Sequence, residues 1–201
     1  MTITEIVETV TSWAQDNICN KLKLKAAPEN GEAVDEGYEY KLVTPTAFPL
    51  FIPTADRKPP ACPATIPCCC VQILEGEDTP PKHSRAVKLR LCVATWSPGE
   101  HGRDNYLPDG SGGYRQSDAT TFSKSENGWR DAWNFADTAI AELEKASSVG
   151  GLRVATELGI KFGPFTEQNA VPNLWPFWYA WVEFWIDAAI SRTPPDYSEY
   201  L

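Results

Sequence analysis

Residues 174–187 constrain the fold of this chain more than any other stretch, because they form its most aromatic segment and alternate in character. In an extended strand, successive side chains point to opposite faces of the sheet. One face of this strand is purely apolar and comprises Trp178, Ala180, Val182, Phe184 and Ile186. The other face is aromatic with interspersed acids and comprises Phe177, Tyr179, Trp181, Glu183, Trp185 and Asp187. Such a strand fits a sheet that covers its own core with one face and contacts something else with the other.

The aromatic face has a second interpretation, in which loops of the same chain cover it. A membrane span is not expected, because the run is much shorter than the roughly 20 apolar residues that a spanning helix needs. It also contains the acidic residue Glu183.

Composition and charge indicate a single globular domain over residues 1–201. The hydrophobic fraction of 42% and the charged fraction of 22% are ordinary for such a domain. The formal net charge of −9 argues against non-specific binding of nucleic acid, because no basic excess is available to neutralise phosphates. An acidic protein is still compatible with a channel through which DNA slides without binding to the protein.

The six cysteines are expected to be reduced thiols. The first residues lack the basic and apolar regions of a secretory signal peptide, so a reducing compartment is predicted. Disulfides are not expected there.

Two amphipathic helices are predicted. The first covers residues 2–18, where Thr2 and Glu5 have the spacing of a capping box. The second covers residues 129–146 and ends before Gly150 and Gly151. Apolar residues recur at helical spacing in both, at Ile3, Ile6, Val7, Val10 and Trp13 in the first and at Trp129, Trp133, Ala136, Ile140 and Leu143 in the second.

Alternating and β-branched residues predict the strands. The clearest are residues 68–74 and 86–96, which form an antiparallel hairpin across an acidic turn at 75–84. In the second of these, Val87, Leu89, Leu91 and Val93 share one face, and Lys88, Arg90 and Cys92 share the other. Shorter strands are predicted at 21–25, 38–43, 152–156 and 160–165, and the proline-rich residues 44–67 are predicted to be an irregular connector.

The element order predicts an α+β fold with an antiparallel or mixed sheet and both helices packed on one side. Residues 97–127 contain almost no aliphatic side chain and are longer than an ordinary connection, so they are predicted to be a flexible loop insertion. Residues 190–201 are predicted to be a loose tail.

Cysteine and histidine provide the chemical alternative. Cys68 and Cys70 share one face of a strand, and Cys62 or Cys92 could complete a metal site with them. His101 lies between an acid and an arginine and could serve a catalytic pair. A small intracellular metal-binding or hydrolytic domain using Cys62, Cys68, Cys70 and His101 is therefore the alternative to a non-enzymatic protein. Buried thiols that pack as small hydrophobes are the simpler explanation.

Two further ligand classes find little support. The glycines at 110–113 lack the lysine and the strand-to-helix context of a phosphate-binding loop. Trp175, Trp178, Trp181 and Trp185 suggest a sugar-binding platform, but alternate residues lie on opposite faces and one face must be core.

The order of elements along the chain resembles that of bacteriophage tail terminator proteins, also called tail completion or head–tail joining proteins. The amphipathic helix at 2–18 is followed by a proline-rich stretch that enters the strand at 63–74 and by the acids Glu75, Glu77 and Asp78. The partner strand at 86–96 follows, and Gly128-Trp129-Arg130-Asp131 opens the central helix. The chain then closes into a Trp175-Pro176-aromatic strand.

The resemblance implies a structural protein rather than an enzyme, with no cofactor and no catalytic residues. It implies a homo-oligomeric ring, commonly a hexamer, at the end of the tail tube. Such a ring ends tube polymerisation and offers a surface to the head connector proteins, and DNA passes through it. The expected partners are the tail tube protein and the connector proteins, and the expected location is the virion tail, assembled in the cytoplasm of the bacterial host.

Site residues follow as hypotheses. The aromatic face of the last strand is predicted to form the subunit interface through Phe177, Tyr179, Trp181 and Trp185. The insertion is predicted to contact partners through His101, Arg103, Tyr106, Tyr114 and Arg115.

Overall fold

The computed structural model describes residues 1–28, 39–101, 106–108, 111–116 and 122–189. It contains two α-helices, α1 (Ile3–Asn17) and α2 (Trp129–Lys145). The strands, in chain order, are β1 (Leu24–Lys25), β2 (Leu42–Val43), β3 (Thr46–Pro49), β4 (Cys68–Thr79), β5 (Ser84–Trp96), β6 (Gly99–His101), β7 (Tyr106–Pro108), β8 (Tyr114–Gln116), β9 (Phe122–Lys124), β10 (Ser148–Val149), β11 (Leu152–Val154), β12 (Lys161–Pro164) and β13 (Phe177–Ala189).

The main sheet has seven strands and is mixed. Its order is β10-β11-β13-β5-β4-β3, and β12 also pairs with β13. The pairing of β3 with β4 is parallel, and the other pairings are antiparallel. The strand β13 pairs with β5 at every position, from Phe177 opposite Trp96 to Ala189 opposite Ser84. This mixed sheet with two helices confirms the predicted α+β fold.

Both helices pack on the same face of the sheet. Ile6 and Val10 of α1 and Phe135 and Ala139 of α2 are buried in one cluster with the apolar faces of β5 and β13. The predicted buried faces of these two strands are confirmed at Val87, Leu89, Leu91, Val93, Ala180, Val182, Phe184 and Ile186. The capping box predicted for α1 is also present, because Thr2 and Glu5 exchange side-chain-to-backbone hydrogen bonds.

The predicted acidic turn at 75–84 is wrong in its length. The strand β4 continues to Thr79, and β5 already begins at Ser84. The acids of this stretch occupy exposed strand positions, where charge is tolerated because neither face is buried. Asp78 pairs with Arg85 across the ladder at 2.5 Å, and the chain reverses through the short 3-10 turn Pro80–Lys82.

The proline-rich connector is more ordered than predicted. Its residues Thr46–Pro49 form β3, which adds a parallel strand beside β4. Phe48 and Cys62 then pack against Cys68 and Ala94, on the face of the sheet opposite the helices. The strand predicted at 38–43 is reduced to Leu42–Val43, and Tyr38 lies outside the described residues. The strand predicted at 21–25 is reduced to Leu24–Lys25, after a 3-10 turn at Cys19–Lys21.

The insertion at 97–127 contains strands that the sequence analysis did not predict. In its described part, β6 pairs with β9 and β7 pairs with β8. Phe122 of β9 is buried against Trp96, which connects the insertion to the end of β5. The predicted loose tail at 190–201 lies outside the described residues.

Candidate protein-binding groove

The four predicted interface residues on β13 are all half-buried, but they lie in two different environments. Phe177 and Tyr179 stand at the beginning of the strand and line an apolar groove. Trp181 and Trp185 lie farther along the outer face and do not line it.

Trp181 is held by its own chain. Its indole N–H donates a hydrogen bond to the carbonyl oxygen of Pro164 at 2.8 Å. Its ring leaves no room beside Gly163, where an added Cβ would stand 2.6 Å from Trp181 Cζ2. The guanidinium of Arg90 lies 5.2 Å from the centre of the same ring. These contacts show that Trp181 supports the β12–β13 pairing.

An ion-paired cluster occupies the middle of the outer face. The side chain of Glu183 is buried, with the residue only 7% exposed, and it accepts a hydrogen bond from Arg90 Nε at 2.9 Å. Lys88 Nζ lies 3.2 Å from the same carboxylate. Burial on its own raises the pKa of Glu183, but the hydrogen bonds from Arg90 and Lys88 outweigh it and leave the pKa lowered. The acid is therefore kept ionised and paired.

The apolar groove lies at the beginning of β13. It has a volume of about 390 Å³ and lies between the first turns of α2, the end of β12, the segment that follows it and the start of β13. Its lining is almost entirely apolar or aromatic and comprises Trp129, Ala132, Trp133, Pro164, Phe165, Val171, Pro172, Leu174, Phe177, Trp178 and Tyr179.

Large apolar side chains around the groove remain in contact with solvent. Trp129 is 45% exposed, Phe165 is 47% exposed and Val171 is 65% exposed. Phe162, which packs edge-on against Trp133 with ring centres 6.3 Å apart, is exposed as well. Large exposed apolar patches are uncommon on monomeric proteins and are often sites of interaction, so this groove is a candidate binding surface.

Hydrogen bonds hold the walls of the groove in place. The Trp178 indole N–H donates to Ser97 O at 3.1 Å, and the Trp175 indole N–H donates to Ser125 O at 3.1 Å. Gly128 permits this arrangement, because a Cβ there would stand 2.3 Å from Trp178 Nε1. Hydrogen bonds within the chain therefore fix this surface, and a preorganised surface has a lower entropic cost of binding.

The sequence analysis missed most of this groove and assigned part of it to the core. It placed Trp129 and Trp133 on the buried stripe of α2, whereas the structure buries Ala132, Phe135, Ala136, Ala139 and Leu143. The prediction is confirmed at Ala136 and Leu143, and Trp133 packs partly against the core as well as lining the groove. It is wrong at Trp129, which is 45% exposed and lines the groove. The available signal was the cluster of apolar residues at 162–174, in a stretch interpreted as a strand end and a polar loop.

The predicted partner-contact residues are distributed over the insertion. His101 belongs to β6, Tyr106 to β7, and Tyr114 and Arg115 to β8. In the β7–β8 pairing, Leu107 stands opposite Arg115 and Pro108 opposite Tyr114. Arg103 lies outside the described residues. Their role in partner contact stays a prediction.

Cys68 and Cys70 share one face of the sheet with Cys62 and Cys92, as predicted. Cys62 and Cys68 lie in one buried cluster, and Cys70 pairs with Cys92 across the β4–β5 ladder. Burial raises the pKa of Cys70 to about 12 and that of Cys68 further, so these thiols are protonated. Within the described ranges, no three His, Cys, Asp or Glu side chains are grouped so that they could hold a metal ion.

A buried polar cluster was not predicted. Lys25 Nζ donates a hydrogen bond to Ser97 Oγ at 2.8 Å and lies 3.9 Å from Asp131. Burial raises the pKa of Asp131, and the charge of Lys25 opposes that rise. A serine beside a lysine can be a nucleophile with its base. Ser97, however, is only 1% exposed. The contacts of Lys25 connect β1, the segment that follows β5, and α2.

No family model matches this chain, and no match was found among curated proteins or among solved structures. In the part of the chain that the structure describes, neither helix has the length and apolar character needed to cross a membrane.

Proposed function

We propose that this protein is a structural assembly protein that associates with copies of itself through the groove, and that the assembly is the ring at the end of a phage tail. The observation that carries the proposal is the exposed aromatic groove between α2 and β13. Its walls are already hydrogen-bonded in place, and its rim exposes large apolar side chains to water. Burial against a protein surface removes that area from water, at roughly 25 cal/mol per Å² of apolar surface.

The chemistry of the lining favours a protein partner over a small molecule. Small-molecule sites combine apolar walls with a few placed polar groups that fix the ligand's orientation. Here the polar atoms of the lining side chains are limited to the Tyr179 hydroxyl and the indole N–H groups, and that of Trp178 already donates to Ser97. The lining contains no charged side chain.

The proposal that the assembly is a ring rests on the resemblance of the sequence to tail terminator proteins. The described element order, with a leading helix, a long hairpin, a central helix and a closing aromatic strand, supports it. The net charge of −9 supports a lumen that does not retain DNA. In this proposal the ring, commonly hexameric in such proteins, is bound by the tail tube and connector proteins, with the insertion at 97–127 as the contact region.

The test is the native mass of the purified protein, measured by light scattering over a wide concentration range. A closed oligomer near six chains is expected, and Val171→Asp should reduce it to monomer, because a charge then enters the apolar groove. Leu158→Asp is the matched control, since Leu158 is a similarly exposed aliphatic residue outside the groove lining. A chain that stays monomeric at every concentration and does not bind tail tubes would overturn the proposal.

A further inference from the structure

We propose that the groove of one copy holds the proline–tyrosine stretch of residues 194–197 from the next copy. This inference rests on the self-association proposed above and specifies what fills the groove. The segment after Ala189 contains Pro194-Pro195-Asp196-Tyr197, followed by Tyr200 and Leu201. It offers the kind of side chains that aromatic grooves bind.

The chemistry of the groove matches such a segment. Consecutive prolines favour the extended polyproline II conformation, which loses little entropy on binding. Grooves lined by aromatic rings are the usual docking sites of proline-rich segments, because the flat proline rings pack on the aromatic faces. Trp129, Trp133, Phe165 and Tyr179 provide such faces here, and Trp129 and Phe165 are open to solvent.

Chain geometry indicates that the segment must come from another copy. Ala189 ends β13 opposite Ser84. The N-terminal amine of Met1 donates a hydrogen bond to the carbonyl oxygen of Ala189 at 3.0 Å. The groove lies at the other end of the strand. From Ala189 back to Tyr179 the extended strand covers about 33 Å, at about 3.3 Å per residue. Tyr197, the last residue of the segment, lies eight residues beyond Ala189 and can be at most about 28 Å from it, which is short of the groove.

The same geometry defines the type of interface. The donating segment begins at one end of β13 and the receiving groove lies at the other, so the two contacting surfaces are different. An interface between two different surfaces is heterologous, and repeated copies of it close into a ring or extend as a filament. The proposed ring therefore needs no second interface, because each copy donates one segment and receives one.

The first experiment compares association constants of full-length variants by sedimentation or light scattering. Replacing Pro194, Pro195 and Tyr197 together with serine should weaken association about tenfold or more, as expected when anchoring side chains are removed. The matched control replaces Ser191 and Ser198 with alanine and should associate like the parent chain. Both variants change only residues that follow Ala189, so the described domain stays intact.

The second experiment adds a fluorescently labelled peptide of residues 190–201 to the triple serine variant. Saturable binding is expected, with a change in tryptophan fluorescence from the groove. The same receiver carrying Val171→Asp should bind the peptide about tenfold more weakly or not at all. This titration reports on the groove even when the receiving chain is monomeric.

The outcomes separate the two proposals. If the triple serine variant associates like the parent while Val171→Asp does not, the groove is the interface but a different surface fills it, and this inference is overturned. If Val171→Asp also associates like the parent, the groove is not the interface and both proposals fail. Equal binding of the peptide with and without Val171→Asp would likewise overturn the inference.

Discussion

The helix-covered face of the sheet and the groove share two elements, α2 and β13, yet the first is buried and the second is partly exposed. Phe135 of α2 and Phe184 of β13 are buried beneath the helices, whereas Trp129 of α2 and Phe177 of β13 line the groove. The residue types hardly differ. The difference is that two helices lie over one region and no described element lies over the other. The groove is thus exposed because of how the elements are arranged and not because of its residue types. An apolar side chain should contribute to the free energy of unfolding in the core and to association in the groove.

Phe184→Ala gives the largest expected effect and defines the core side of this comparison. Phe184 is fully enclosed in the main core cluster, so its truncation leaves a cavity and should lower the free energy of unfolding by about 3–5 kcal/mol. Chemical denaturation monitored by circular dichroism measures the loss. Phe165→Ala in the groove is the matched control and should cost under about 1 kcal/mol, because half of this ring is already exposed. Similar losses at the two positions would show that the groove is part of the core.

Gly163→Ala is expected to have the next largest effect and tests the packing beside the groove. The added methyl group meets the Trp181 ring at 2.6 Å, so either the ring moves and loses its hydrogen bond to Pro164 or the β12–β13 pairing shifts. Overpacking of this kind should lower the free energy of unfolding by about 1–3 kcal/mol. Thermal unfolding measures it, with Gly76→Ala in β4 as the control, because an added Cβ there would come no closer than 3.4 Å to a neighbouring atom. A Gly163→Ala variant as stable as the parent would show that Trp181 does not hold this edge.

The stability of the protein should depend on pH through the ion pairs of Glu183 on the outer face of β13. Because the folded state lowers the pKa of Glu183, its ion pairs stabilise the protein fully above the unfolded pKa of about 4.5. That contribution is lost as the pH falls through the lower folded value. Denaturation curves at a series of pH values between about 6 and 3 should show this loss in the parent and not in Glu183→Gln. Parallel curves for the two proteins over that range would contradict the assignment.

The smallest effect on stability is expected in the groove itself. Val171→Asp should change the free energy of unfolding of the monomer by no more than about 0.5 kcal/mol, because this side chain is mostly in water already. Denaturation below the concentration at which the protein associates measures the monomer alone. A loss comparable to that of Phe184→Ala would mean that Val171 supports the fold and that its exposure was misleading.

Much of the core could be predicted from sequence because its signal is local. In β5 and β13 the alternation of apolar and polar residues identifies the buried face directly, and the structure confirms it at Leu89, Val93, Val182 and Phe184. The predicted ends of α2 were also close to the observed ones, because Gly150 and Gly151 mark a point before which the helix must have ended.

The groove could not be predicted because it has no local signal. Its lining comes from three separate parts of the chain, at 129–133, 164–174 and 177–179, which the fold brings together. Helical spacing placed Trp129 in the core because periodicity shows which residues share a face of a helix but not how far the sheet extends beneath it. The strands of the insertion were missed for a similar reason, since β6 pairs with β9 more than twenty residues away.

The unbroken ladder between β5 and β13 also restricts how this protein can change through evolution. Along its thirteen positions, every second residue of β13 faces the core. Deletion or insertion of one residue would therefore move the side chains on one side of the change to the opposite face of the sheet. Such a change would place Trp181 and Glu183 beneath the helices and Val182 and Phe184 in water. Gaps that arise between this gene and its descendants should therefore fall in the insertion or in the segment between β12 and β13, and the ladder itself should keep its length.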